Sequence, residues 1–492
     1  VSTALRSLLE MPPRAGARAS WEYVEGWGMS LGAEARVLRP ANQEELRALC
    51  MRAREQRRPL ALRGAGCSYG DASLAAGGDV LDLSRLDRLL AWDRERGRAV
   101  CEPGMTIEAL WRAILPDGWW PRVVPGTMFP TLGGAAAMNI HGKNNFEAGT
   151  IGDAILEFDI LLPGGEIRTA SRERESELFH AAIGGFGMLG VFTRIELQTK
   201  KVHSGDLEVR AVRTPDLDAA LAHLEARRER CDYLVAWIDA FARGQALGRG
   251  LVHEARYLEP GEDQDARETL QLAHQDLPRS VLGVPKSEAW RALRFLNNDL
   301  GMRALNAVKY HSSALEVWQG PRRQAHAAFA FLLDYVPNWK WAYGREGRRG
   351  LIQFQVFAPR AAASALYREI LERSQRARIV PYLGVLKRHR PDPFWLTHAL
   401  DGYSLALDFK VAPERRAALW QHCEELSERV LAAGGRFYFA KDATLTADQA
   451  RRMYPRGALE RFAKLKRELD PENLLQTALS RRLFGDFGGV GA

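Results

Sequence analysis

The 492-residue sequence has little cysteine: five residues, Cys50, Cys67, Cys101, Cys231 and Cys423, scattered and without CxxC spacing. That scarcity argues against a disulfide framework and a structural zinc site, and no metal site is expected. No uninterrupted apolar run approaches the ~20 residues of a membrane-spanning helix. The opening stretch, VSTALRSLLEMPPRAGARAS, lacks a secretory apolar core and cleavage site, so the expectation is a protein of the cytoplasm, or peripheral at a membrane. Acidic residues are outnumbered, 61 against 69 lysines and arginines, for a net charge of +8. The surplus is spread along the chain, which does not point to nucleic acid and suits an anionic substrate or an acidic membrane surface. Also missing is a GxGxxG leading into a long helix, so a Rossmann fold is not expected.

What is present is a globular composition, 46% hydrophobic and 26% charged, at a length for two or three domains. The chain is organised around Pro125–Asp153, which holds six glycines and a His-Gly-Lys triplet between two strand-like segments. Its run Thr131-Leu132-Gly133-Gly134 can offer backbone N–H groups to an anion, because glycine lets a ligand approach the main chain closely. A small-residue loop packed against a neighbour reads equally well from the glycines alone. Two further stretches accompany it: Arg63-Gly64-Ala65-Gly66-Cys67-Ser68-Tyr69-Gly70-Asp71, straight after the short strand Pro59–Leu62, and Gly184-Gly185-Phe186-Gly187-Met188-Leu189-Gly190-Val191.

Short strands and helices mix over the first 200 residues. Asn42 is a helix N-cap with Glu45 three residues on, as in a capping box. Residues 1–35 read as a loose segment anchored by Trp21, Tyr23 and Trp27. Beyond Lys201, charged helical segments (Pro215–Arg230, Asp263–Leu277) alternate with strands (Tyr233–Ile238, Leu351–Phe357, Tyr403–Phe409), the pattern of an antiparallel sheet backed by helices. The polar stretch Leu258–Asn298 is the candidate for a mobile lid, and Gly434–Asp442 reads as a strand.

Taken in this order, the three glycine-rich stretches resemble the FAD-binding domain of the vanillyl-alcohol-oxidase-type (PCMH-type) flavoproteins. The resemblance implies an α+β fold: a two-part FAD-binding domain, residues 1–200 and 434–492, plus a substrate or cap domain, 201–433, with an antiparallel sheet. It implies FAD held by Arg63, Gly64, Ala65, Gly66, Cys67, Ser68, Tyr69, Gly70 and Asp71 around the diphosphate. Gly126, Thr131, Leu132, Gly133, Gly134, Met138, Asn139, Ile140, His141, Val191 and Tyr438 complete that set. Covalent members often carry histidine where Cys67 stands, so non-covalent FAD is favoured here.

The family's Ala-Lys-Asp context falls on Ala440-Lys441-Asp442, which makes Lys441 the cation beside the reduced flavin. Two-residue strand periodicity would put Phe439 and Lys441 on one face, opposite Tyr438. Tyr69 and His141 are the other candidate catalytic residues; the base stays open between Tyr69, Lys441 and a water. Lys143, Gln353, Gln355, Lys387, Ser404 and Lys441 are implied on the substrate side, with Tyr310 a weaker candidate. Gln353 and Gln355 share a strand face by periodicity alone, which an ordinary exposed polar strand would also give. Where the subgroup nearest in motif has Asn-Ile-Cys, this chain has Ser404-Leu405-Ala406, so the hydrogen-bond pattern around the substrate differs. That subgroup oxidises the 2-hydroxyl of a polyprenylphosphoryl-ribose and works with a separate keto-sugar reductase; an oxidase of free alditols or aldonolactones, or a flavin binder without turnover, is the alternative.

Overall fold

The structure, a computed structural model, describes residues 18–485 except 279, 282–283, 345–348 and 456. Strand β1 (Arg18–Glu25) pairs antiparallel with β2 (Gly32–Arg39), from Arg18 opposite Arg39 to Glu25 opposite Gly32. The described part of the segment expected to be loose is therefore a hairpin. Strand alternation puts Trp21 and Tyr23 on its outer face, 63% and 65% exposed, while Val24 turns inward. Only Trp27 anchors, its ring 4.6 Å from that of Tyr69 and 5.6 Å from that of Trp339.

β3 (Leu60–Arg63) and β4 (Asp79–Asp82) complete a sheet of order β1-β2-β4-β3, with parallel β2/β4 and β3/β4 pairs. Helix α1 (Gln43–Glu55) links β2 to β3. Asn42 caps it, accepting the Glu45 N–H at 2.9 Å, and the Glu45 carboxylate reaches back to the N–H of Ala41 rather than of Asn42. A second sheet contains β5 (Leu89–Asp93), β6 (Arg98–Cys101), β7 (Ile155–Leu161), β8 (Ile167–Ser171) and β9 (Val191–Gln198), in the order β5-β6-β9-β7-β8. Between β6 and β7 come α2 (Ile107–Ile114) and the short α3 (Leu132–Ala137), capped by Thr106 and Thr131.

The third sheet has eight strands: β10 (Asp206–Thr214), β11 (Tyr233–Ile238), β12 (Gly250–Tyr257), β13 (Arg322–Ala325), β14 (Gly350–Pro359), β15 (Leu383–His389), β16 (Gly402–Val411) and β17 (Arg436–Phe437). Their order is β13-β10-β12-β11-β15-β16-β14-β17, antiparallel throughout. This is the expected antiparallel sheet, and α4 (Leu217–Arg227), α5 (Asp299–Gln319), α6 (Ala363–Arg376) and α7 (Arg416–Ala432) pack on it. The Tyr367 hydroxyl ties α6 to β16 by donating to the Tyr403 carbonyl at 2.6 Å.

Two expectations need correction. Residues 263–277 form two four-residue helices, Ala266–Thr269 and Leu272–Gln275, rather than one. They are anchored, not lid-like: the Gln275 amide donates to Gly205 and accepts from the Ala327 N–H, and Thr269 accepts from the Gly205 N–H. Residues 279 and 282–283 of the proposed lid lie outside the described residues. The strand expected over Gly434–Asp442 ends at Phe437, where the chain turns and the Lys441 N–H donates to the Tyr438 carbonyl at 2.9 Å. The chain end then returns to the first sheet. Leu60 donates to Leu474 and Gln476 donates back to Leu60, while the buried Asp470 carboxylate accepts Lys466 Nζ and the N–H groups of Leu474 and Leu475. Among the described residues no helix is long and apolar enough to cross a membrane.

Candidate functional site

Where these sheets meet, a cavity of about 420 Å³ opens. One wall is main chain. β3 delivers the loop from Arg63 onward, and Gly66 takes a left-handed φ of +67° that a side chain would strain. Gly64 packs so closely on the helix cap that a Cβ there would lie 2.0 Å from Thr131 Oγ1. From the Gly184–Gly187 stretch the N–H groups of Gly184 and Phe186 donate to Ala136 and Ala137 at the end of α3, which brings all three glycine-rich stretches to one place. The opposite wall is a face of the eight-stranded sheet. Gln353 lies opposite Asp408, Gln355 opposite Ala406, Val385 opposite Ala406 and Trp237, and Lys387 opposite Ser404. Alternation thus turns Gln353, Gln355, Val385 and Lys387 into the cavity, as periodicity predicts, and Phe354 and Val356 into the core.

Most of the residues singled out from sequence come together. Arg63 through Ser68, Gly126, Thr131, Gly133, Gly134, Met138, Ile140, His141, Lys143, Gln353, Gln355, Lys387, Tyr438 and Lys441 all line the cavity. The strand geometry expected for residues 438–441 does not hold. Because the chain turns there, Tyr438 and Lys441 share the cavity, and Phe439 packs into the core against Phe186 and Phe484. Seven residues stand one layer behind. Leu132 and Val191 are core residues, and Gly70 packs on the main chain of Asp442. Asp71 pairs with Arg482 at 2.8 Å, and the same guanidinium holds Asp442 at 2.9 Å, clamping the loop to the chain end. Asn139 donates to Asp392 and accepts from Gly152, and Ser404 sits behind Gln355 at 2.7 Å from His389 Nε2. Tyr69 is buried with its hydroxyl unpartnered among the described residues, its ring 3.8 Å beneath Lys441 Nζ. Tyr310 is outside the lining, sandwiched by Arg213 and Arg249.

The electrostatics are one-sided. Among the described residues the lining holds Arg63, Lys143, Lys309, Lys387 and Lys441, and no carboxylate. The Lys143 ammonium donates to the Phe329 and Ala330 carbonyls, so it is turned away from the role of a substrate-phosphate ligand. Burial pushes Lys387 down to about 8, and it lowers Lys441 as well. For Lys441 the fully buried Asp408 opposes that shift; burial in turn raises Asp408 above the usual carboxylate range, while its hydrogen bond from Gln353 Nε2 at 2.6 Å and the Lys441 charge pull it down. Burial raises the Tyr69 phenol well above its ordinary value, which removes Tyr69 as a ready base.

Behind Gln355 lies a network the sequence reading missed. Gln355 Nε2 donates to His141 Nε2 at 3.0 Å, which leaves His141 Nδ1–H to donate to His398 Nε2 at 3.1 Å. Burial holds His141, His389 and His398 below their ordinary values, so all three are neutral. They form no cluster suited to a metal ion among the described residues. Asp408 was missed as well, although a lone acid in the apolar strand Tyr403–Phe409 was a visible signal. His398 lies in a loop, where no periodicity could have pointed to it.

Residues 35–171 match the family described as FAD binding domain. The chain is 29% identical over 470 residues to a decaprenylphosphoryl-beta-D-ribose oxidase of Mycolicibacterium smegmatis, covering 93% of this chain and 96% of that protein. It is 31% identical over 385 residues to an uncharacterized protein in the mprA 5' region of Streptomyces coelicolor, 77% of this chain and 100% of that one. Cytokinin dehydrogenase 7 of Oryza sativa is 32% identical over 206 residues, 39% of this chain and 38% of the relative. The cavity fits FAD on its own terms. The small residues Gly64, Ala65, Gly66, Gly133 and Gly134 leave main chain open toward a diphosphate, and Lys441 and Lys387 are lining cations that would offset the negative charge of a reduced flavin. The protein is an FAD-dependent oxidoreductase and belongs to the vanillyl-alcohol-oxidase-type, PCMH-type flavoproteins.

Proposed function

We propose that this enzyme oxidises a secondary alcohol of a sugar to the ketone, and that its substrate is a polyprenylphosphoryl-ribose oxidised at the 2-hydroxyl. The observation that carries this reading is the pairing of two cavity-facing amides, Gln353 and Gln355, with cations and, among the described residues, no carboxylate in a mostly apolar lining. Amides bind sugar hydroxyls, ammonium groups bind a phosphate, and apolar walls suit the first prenyl units. Bound FAD would supply the hydride acceptor for the carbinol carbon, and the hydroxyl proton would leave to water in the cavity.

The chain's own residues prepare that transfer. Because Gln353 Nε2 is taken by Asp408, Gln353 Oε1 is the atom left to accept from a substrate hydroxyl. Gln355 is held by His141 and, at 3.5 Å, by Ser404. In its protonated form Lys441 would place a positive charge beside the reaction centre and stabilise charge that develops only as the hydride leaves; burial lowers its pKa, so that form is lost as pH rises. Lys387, with no carboxylate in the lining to neutralise it, is the cation available for the phosphate in place of Lys143. Residues 1–200 and 434–492 would form the flavin domain, 201–433 the cap, and a separate reductase would consume the keto product.

Access for a lipid is supported by α5 and the helix Ala289–Leu296 before it. Phe295, Leu300 and Trp318 are 82%, 79% and 81% exposed there, while Lys309 of the same α5 points into the cavity. Exposed Arg291, Arg294 and Arg303 lie among these apolar side chains, the mixture that rests on an anionic lipid surface. Flotation with vesicles of anionic or neutral lipid tests that contact. Anaerobic reduction of the flavin by a short-chain prenylphosphoryl-ribose, with ribitol and an aldonolactone beside it, tests the substrate.

A further inference from the structure

Two buried histidines, His389 and His398, lie behind the cavity without lining it, and neither has a part in the reaction described so far. His398 sits in the loop between β15 and β16, its Nε2 3.1 Å from His141 Nδ1. His141 lines the cavity, and its other nitrogen, Nε2, accepts from the Gln355 amide at 3.0 Å. Ser404 Oγ stands 3.5 Å from the same amide nitrogen and 2.7 Å from His389 Nε2. Phe357 and Tyr438 pack on both His141 and His398, with ring centroids 4.3 to 5.5 Å away. Among the described residues His398 Nε2 is the one hydrogen-bond partner of His141 Nδ1. The charges that act most strongly on the three imidazoles, Lys387, Arg388, Arg436 and Lys441, are all positive. Together with burial they keep each ring neutral, with one N–H and one lone pair.

A neutral imidazole that accepts on one nitrogen holds its proton on the other. Gln355 Nε2, an amide nitrogen, only donates, so His141 Nδ1–H is left to donate to His398 Nε2. With its nitrogen turned to His141 and Ser404, Gln355 has Oε1 left for the cavity. The local field favours that end: cations and, among the described residues, no carboxylate in the lining draw the carbonyl end of an amide dipole inward. We propose that His398 is a positioning residue: by accepting the His141 Nδ1–H it fixes the tautomer that makes Gln355 a hydrogen-bond acceptor toward the substrate. Gln353 presents its own Oε1 for a separate reason, since Asp408 holds its nitrogen. Two amide oxygens then face the substrate, and they suit hydroxyl donors. The ketone product has lost its O–H and meets acceptors only, so the site holds the alcohol and lets the ketone go. This choice of alcohol over ketone rests on the sugar-oxidase reading above; the chain of hydrogen bonds that orients Gln355 does not.

Replacing His398 by phenylalanine keeps an aromatic ring and removes the acceptor. The His141 Nδ1–H would then be a buried donor without a partner, and the proton moves to Nε2 instead. An Nε2–H needs an acceptor, so the Gln355 amide turns over, giving Oε1 to His141 and Nε2 to the substrate. His398→Gln keeps an acceptor near the place of the imidazole Nε2 and is the conservative control. The test compares wild type, His398→Phe and His398→Gln as full-length flavoproteins, with two readouts. The first is nitrogen NMR of protein labelled in its histidine rings, in which protonated and lone-pair nitrogens resonate apart; it needs no sugar, and the His141 signals are those missing from His141→Phe. The second is the half-saturation of anaerobic bleaching by the short-chain prenylphosphoryl-ribose, set against the inhibition constant of its 2-keto product.

Wild type and His398→Gln should show His141 protonated on Nδ1, and His398→Phe should show it protonated on Nε2. Wild type should bind the alcohol roughly tenfold tighter than the ketone, the cost of one buried acceptor left unmet. His398→Phe should reverse that preference, and His398→Gln should restore it. Lost packing alone would weaken both ligands together and leave their ratio unchanged. That result, a wild-type His141 protonated on Nε2, or an unchanged tautomer in His398→Phe overturns the assignment. Should His398→Phe fail to fold, the wild-type spectrum decides: a proton on His141 Nδ1 supports the positioning role, and a proton on Nε2 refutes it. If no sugar bleaches the flavin while the spectra behave as stated, the substrate reading falls and His398 keeps its role. If the sugar bleaches it and the spectra do not behave so, His398 loses its role and the substrate reading stands.

Discussion

Replacing Lys441 by methionine should leave a folded, yellow protein that has lost most of its hydride transfer. The side chain lines the cavity on the turn after β17, and its removal breaks no hydrogen bond to the glycine loop, where the backbone of Tyr69 donates to Ala440 at 2.8 Å. What is lost structurally is the ammonium over the Tyr69 ring at 3.8 Å, worth about 0.5–2 kcal/mol. Against that, the cost of keeping a cation in an enclosed place also disappears. Burial already raises the pKa of Asp408 and the Lys441 charge lowers it, so once that charge is gone Asp408 takes up a proton more readily rather than forcing the protein open. In the reaction, a unit charge a few ångströms from developing negative charge is worth about 3–4 kcal/mol at an effective dielectric constant near 20. Loss of one such preorganised partner slows the step by roughly a hundred- to a thousandfold. Single-turnover bleaching at saturating substrate measures it, with flavin content as the folding control. A Lys441→Met protein that binds FAD and is reduced at the wild-type rate would refute the electrostatic role.

Other outcomes follow from particular contacts. Arg482→Ala leaves the nearly buried Asp71 and Asp442 carboxylates without their cation and should cost about 3–5 kcal/mol in urea denaturation, a destabilisation near zero counting against the clamp. Gly64→Ala drives a Cβ to 2.0 Å from Thr131 Oγ1, so the purified variant should carry little flavin per chain, and full occupancy would contradict the cradle. Cys67, its thiol pushed up to about 11 by burial, is protonated at neutral pH; acid or heat should release all the flavin, and colour retained on the denatured chain would overturn non-covalent binding.

Local signals carried much of this architecture. The Asn42 cap, the short strands on either side of the glycine-rich stretches and the period-2 placement of Gln353 and Gln355 are properties of neighbouring residues, and the structure reproduces them. What sequence periodicity could not supply depends on distant partners. The turn at Tyr438–Lys441 exists because Ala440 pairs with the Tyr69 loop, so Lys441 reaches the cavity by a route that strand alternation puts on the wrong face. Trp21 and Tyr23 looked like anchors because aromatic residues usually bury, but strand alternation in β1 turns them outward. Lys143 looked like a free cation until the Phe329–Ala330 carbonyls, almost two hundred residues away in the chain, proved to hold it. His398 and His389 joined His141 through the third dimension only.

The proposed substrate is a phosphate-bearing sugar held between the Gln353–Gln355 pair and the cavity lysines. Anaerobic titration of the purified protein with a short-chain prenylphosphoryl-ribose, and in parallel with ribose and ribitol, tests it most directly. The phosphodiester sugar should bleach the flavin completely, at a rate at least about tenfold above either neutral polyol, which lacks one charged hydrogen bond. Equal bleaching by ribitol, or none by the phosphodiester, would contradict it.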